Sequence, residues 1–88
     1  MSYTVRFTAT ARRGLKALPP RVLSAVIEFA FGDLSQEPRL VGKPLRRELA
    51  GMLSARRGPY RLLYHIDDDQ MIVWVLRVDH RADVSRRR

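Results

Sequence analysis

Ser54-Ala55-Arg56-Arg57-Gly58-Pro59-Tyr60-Arg61-Leu62-Leu63-Tyr64 reads as a β-hairpin with Arg57-Gly58-Pro59 as its turn. Side chains alternate along a strand, so Tyr60 and Leu62 share one face and Arg61 points the other way. A further apolar strand, Met71 to Val78, follows the Asp67-Asp68-Asp69 turn and ends in Val78-Asp79-His80-Arg81. Strands are therefore expected at about 52–57, 60–67 and 70–78, joined as an antiparallel meander.

Upstream of the meander, Tyr3-Thr4-Val5-Arg6-Phe7 alternates aromatic and β-branched residues with polar ones and predicts an opening strand. Thr8 or Thr10 can cap a helix with Ala11, Leu15 and Leu18 as its apolar stripe, which Pro19-Pro20 ends. Pro20 opens a second helix carrying Val22, Leu23, Val26, Ile27, Ala30, Phe31 and Leu34. Phe29 is expected off that stripe, on an edge for a partner to cover. Glu37 to Pro44 reads as a loop, and Leu45 to Leu49 as at most one helical turn. The order β-α-α-β-β-β predicts an α+β domain of two layers, with helices on a four-stranded sheet.

The chain has 88 residues, enough for a single domain, 1–88, with about 82–88 as a flexible basic tail. It has no cysteine, which excludes disulfides and thiolate metal sites. His65 and His80 are too few for a zinc centre, and the three aspartates lack the alternating donors of a calcium loop. No metal and no cofactor are expected. No apolar run approaches the ~20 residues of a membrane span, and no signal sequence opens the chain, so a cytoplasmic protein away from membranes is expected. The net charge of +8 points to a polyanion or an acidic partner. Arginine outnumbers lysine 15 to 2, a skew that genomic base composition explains as well as phosphate chemistry does.

Cations fixed on a rigid sheet suit the grip of a phosphodiester. Arg61, Arg81 and Arg56 are the candidates for that role, and Arg56 is favoured over Arg57, which faces the opposite way on a regular strand. Arginine does not readily lose a proton, so His80 is the candidate acid–base group; a backbone-bonded structural histidine is its alternative. Lys43, Arg46, Arg47 and Arg57 form a basic surface that can contact nucleic-acid backbone, or can simply be solvated. Tyr60, Tyr64 and Trp74 could stack bases, but their strand spacing is that of core residues.

Taken in order, these residues resemble the RelE/ParE toxin superfamily of type II toxin–antitoxin systems, and within it the RelE-like branch. The resemblance spans nearly the whole chain. It is carried by the opening strand, the helical pair, Pro38, Gly42 with Lys43-Pro44-Leu45, and Leu49-Ala50-Gly51. It continues through Gly58-x-Tyr60-Arg61-Leu62-x-Tyr64, Ile66-Asp67-Asp68 and Val78-x-His80-Arg81. It implies a RelE-like fold and a ribosome-dependent endoribonuclease, an mRNA interferase. Such an enzyme cuts translated mRNA in the ribosomal A site by metal-free attack of a 2′-OH, arresting translation and growth.

The resemblance places Arg61 and Arg81 at the family's active-site arginines and Arg56 at a further basic position. It implies ribosomal RNA contacts, a cognate RelB-like antitoxin, and operator DNA bound only within the toxin–antitoxin complex. One departure concerns the chemistry: RelE-like toxins usually carry a tyrosine where this chain has Ser85. Either another group assists proton transfer or the chain is a weakened relative. A ParE-like inhibitor of DNA gyrase without nuclease activity is the rival reading, and a plain nucleic-acid-binding module the third.

Overall fold

The strand Tyr60–Asp67, β4, organises the molecule because its period-two pattern separates two chemically different faces. Tyr60, Leu62, Tyr64 and Ile66 are buried while Arg61 and His65 are exposed. The computed structural model describes residues 2–80; Arg81, Ser85 and the tail expected over 82–88 lie outside the described residues. β4 pairs antiparallel with β3 (Leu53–Arg57) through a tight turn at Gly58, whose φ of 53° lies in the left-handed region. It also pairs antiparallel with β5 (Ile72–His80), after a turn in which the Asp67 carboxylate accepts from the Gln70 N–H at 3.1 Å.

β1 (Thr4–Phe7) lies parallel to β5, and β2 (Lys43–Pro44) antiparallel to β3. The sheet is mixed, in the order β1-β5-β4-β3-β2. It has five strands, not the four expected from sequence. Two residues are too short to show an alternation, and Pro44 is tolerated because β2 is an edge strand.

Both helices cover one face of the sheet. In α1 (Ala9–Lys16) the Thr8 hydroxyl accepts from the Ala11 N–H at 3.1 Å and donates to the Leu76 carbonyl at 3.0 Å, so the cap also ties the helix to β5. α2 (Pro20–Phe29) starts on Pro20 and continues into a π-helical turn, Ala30–Leu34. Its buried line is Val26, Phe29, Ala30 and Leu34, whereas Ile27 and Phe31 are 36% and 57% exposed.

Phe29 therefore faces the core, 6.4 Å from the Tyr60 ring between centroids, and the outward edge belongs to Ile27 and Phe31. Apolar residues on this helix lie on both flanks of the buried line, so spacing alone does not say which flank is covered. The π turn, bonded i→i+5, swings Leu34 back onto the buried line. Ser35 then fastens the helix end to β1, its hydroxyl donating to the Tyr3 carbonyl at 2.7 Å.

Two close approaches hold the layers together. A Cβ on Gly14 would lie 2.7 Å from the Val78 carbonyl oxygen and 3.2 Å from the Val78 Cβ. The Tyr64 hydroxyl, fully buried, donates to the Pro38 carbonyl at 2.6 Å and anchors the loop that leads into β2. Burial pushes the Tyr64 phenol up to about 12 from its ordinary value of 10.0. On the surface Arg39 pairs with Asp68, which also accepts from the Tyr3 hydroxyl at 2.7 Å.

Tyr64→Phe leaves the Pro38 carbonyl unpaired and is expected to cost about 1–2 kcal/mol. That corresponds to a Tm lower by roughly 4–16 °C in thermal melts at neutral pH. The folded chain holds the Tyr64 proton more tightly than the unfolded chain, so this stabilisation is complete below pH 10. It is lost as pH rises from 10.0 towards about 12. Across that window the wild-type Tm should fall more steeply than that of Tyr64→Phe. Gly14→Ala should lower the Tm although alanine favours helix by about 1 kcal/mol, because the new methyl would meet the Val78 backbone carbonyl, which cannot move aside as a flexible side chain can.

Candidate functional site

The face of the sheet that carries no helix collects the side chains opposite the core. On β3 Ala55 is buried against the helices, which turns Arg56 outward, and on β4 Leu62 does the same for Arg61. Arg56 and Arg61 are register partners, so the two guanidinium groups rise side by side from adjacent strands. Among the described residues the ion pairs are Arg39 with Asp68 and Arg77 with Asp79, leaving Arg56 and Arg61 without a carboxylate in ion-pair reach. Like charges directly across a sheet repel, and an anion bound between them removes the repulsion.

β5 reaches this face through a bulge. Leu63 pairs with Arg77 and Tyr64 with Val75, so Leu76 is the extra residue. Val73 and Val75 face the helices, and beyond the bulge Val78 and His80 do so as well, opposite Leu62 and Tyr60. Arg77 and Asp79 are thereby turned to the open face, with Asp79 in register with Arg61. The Arg77 Nε donates to Asp79 Oδ1 at 3.0 Å.

Arg56 and Arg61 are thus brought together. His80, 8% exposed, shares the helix-covered face with Tyr60 and does not join them. Arg57 lies on that same covered side, its guanidinium 4.7 Å from the centre of the Phe29 ring, a cation–π contact rather than part of the open face. Lys43 does belong to the open face, in register with Ser54 on β3.

Arg46 and Arg47 are exposed in the connection from β2 to β3, where Arg47 has a φ of 61° within a short 3-10 turn, Arg47–Leu49. His65 secures the end of that basic loop, its Nδ1–H donating to the Gly51 carbonyl at 3.1 Å. Arg81 and Ser85 lie outside the described residues.

Asp79, Arg77 and Trp74 join the open face beyond the cations expected there. Trp74 sits there between His65 on β4 and Arg6 on β1, half-buried rather than in the core. One signal was available: the apolar steps of β5 run Val73, Val75, Val78, and a step of three marks a change of phase.

Among the described residues no helix is long and apolar enough to cross a membrane. Residues 5–84 match the model of the family described as the ParE toxin of type II toxin–antitoxin systems, parDE. The chain is 74% identical to Toxin RelG of Mycobacterium tuberculosis over 99% of its own length and 100% of that protein. It is 46% identical to Toxin RelE of the same organism, covering 91% of this chain and 82% of that one.

The crystal structure of the Mycobacterium tuberculosis toxin–antitoxin complex RelBE2 superposes with a TM-score of 0.90 at 73% identity, covering 92% of this chain and all of that chain. Sequence, fold and relatives agree: the chain belongs to the ParE-toxin family, within the RelE/ParE superfamily, and is a toxin of a type II toxin–antitoxin system.

Proposed function

We propose that this toxin is a ribosome-dependent endoribonuclease that cleaves translated mRNA in the ribosomal A site. The observation that carries the reading is the side-by-side pair Arg56 and Arg61 on an open, helix-free sheet face. Two guanidinium forks there can bind the non-bridging oxygens of one phosphate and hold it for in-line attack by the neighbouring 2′-OH. Negative charge grows on those oxygens in the transition state, so fixed cations stabilise it more than the ground state. Arg81, from the family position, would add a third cation.

Lys43, Arg46 and Arg47 supply electrostatic attachment to ribosomal RNA backbone, in keeping with the net charge of +8. A cognate RelB-like antitoxin restrains the enzyme, and the exposed apolar pair Ile27 and Phe31 suits burial against such a partner. Operator DNA is bound only by that complex. The protein acts in the cytoplasm.

The ParE description of the matching family favours one other reading, inhibition of DNA gyrase without RNA cleavage. Primer extension on mRNA from expressing cells, beside a gyrase supercoiling assay, separates them. Cleavage within translated codons supports the first reading; intact mRNA with blocked supercoiling overturns it.

Arg56→Ala and Arg61→Ala are each expected to slow cleavage about 10²–10³-fold in single-turnover assays on programmed ribosomes. Their Tm should be unchanged or higher, because each substitution relieves the repulsion of the pair. Full cleavage by both variants would remove these residues from the mechanism.

A further inference from the structure

A phosphate held by arginines alone still needs a group to take the 2′-hydroxyl proton, and arginine does not do this near neutral pH. Ser85 stands where resembling toxins carry a tyrosine. His80 is on the far side of the sheet. His65 is four residues from Arg61 along β4, about 13 Å away, and is engaged with Gly51.

Asp79 is the described carboxylate adjoining the arginine pair. It is the register partner of Arg61 on β5, as Arg56 is on β3, so Arg56, Arg61 and Asp79 form one row across three strands. Directly opposed side chains stand about 4.5–5.5 Å apart at Cβ, so the Asp79 carboxylate and the Arg61 guanidinium border the same patch of the open face. Oδ1 of Asp79 is taken by Arg77, while Oδ2 has no protein partner among the described residues, and the side chain is 40% exposed.

We infer that Asp79 is the general base of RNA cleavage, an inference that rests on the ribonuclease reading above. Its Oδ2 removes the 2′-hydroxyl proton as the 2′-oxygen bonds to phosphorus. The P–O5′ bond breaks with its electron pair on O5′, which takes a proton from water. The products are a 2′,3′-cyclic phosphate and a 5′-hydroxyl. Asp79 returns its proton to the hydroxide left by that water. Among the described residues the charged groups facing Asp79 are Arg61 on β4 and Arg77 on its own strand, with Arg56 on β3 beyond; β1 ends in register with Val75 and contributes none.

The test is single-turnover cleavage of mRNA on programmed ribosomes by wild type, Asp79→Asn and Asp79→Glu across pH. Asp79→Asn is expected to lose about 100-fold or more in kcat, to keep KM within about threefold, and to lack the acid-side fall in rate that a carboxylate base would give wild type. Asp79→Glu should recover part of kcat together with that acid limb. Melts of both variants should match wild type, since the Arg77–Asp79 pair is exposed. Wild-type kcat and an unchanged acid limb in Asp79→Asn would overturn the assignment while leaving the ribonuclease standing. No cleavage by wild type would overturn the ribonuclease reading and this inference with it.

Discussion

The register of β4 between β3 and β5 is the constraint on which the rest of the molecule depends. With Tyr60, Leu62, Tyr64 and Ile66 inward, the helices have an apolar floor, and Arg61 has no choice but to face solvent. A slip of one residue would bury Arg61 and His65 and expose two tyrosines. Burial on one side thus fixes the position of cations on the other, and the core is what makes the open face rigid.

The bulge at Leu76 serves the same division at the end of the sheet. A strictly alternating β5 that buried Val73 and Val75 would also bury Arg77 and Asp79 and expose Val78 and His80. Adding one residue reverses the phase, so Val78 meets α1 at Gly14 while Asp79 stands beside Arg61. The close contact of Gly14 with Val78 and the carboxylate on the open face are two results of one irregularity.

An open face with paired arginines is poor for stability and good for binding. Repulsion between Arg56 and Arg61 is held in place by a core that includes the fully buried Tyr64 and Leu62. Arg57, one residue away, shows the contrast: its charge lies on the Phe29 ring and contributes to packing. Neighbours in sequence thus do opposite work because the pleat sends them to opposite faces.

Much of this could be read from the amino-acid order, because local patterning already encoded it. Pro20 starts a helix by fixing φ, Thr8 caps one by offering an acceptor, and Tyr60-Arg61-Leu62 separates its side chains by the pleat alone. What local patterning does not contain is the partner of each element. The two-residue β2 exists only because β3 lies beside it, and Phe29 rather than Ile27 is buried because Phe29 meets the Tyr60 ring on β4. His80 faces the helices, and Asp79 the arginines, because pairing with β4 forces a bulge that no single strand needs on its own. Residue order dictates the elements and the cations they carry; which cations meet follows only from folding, since contact between strands is a property of pairing and not of any one segment.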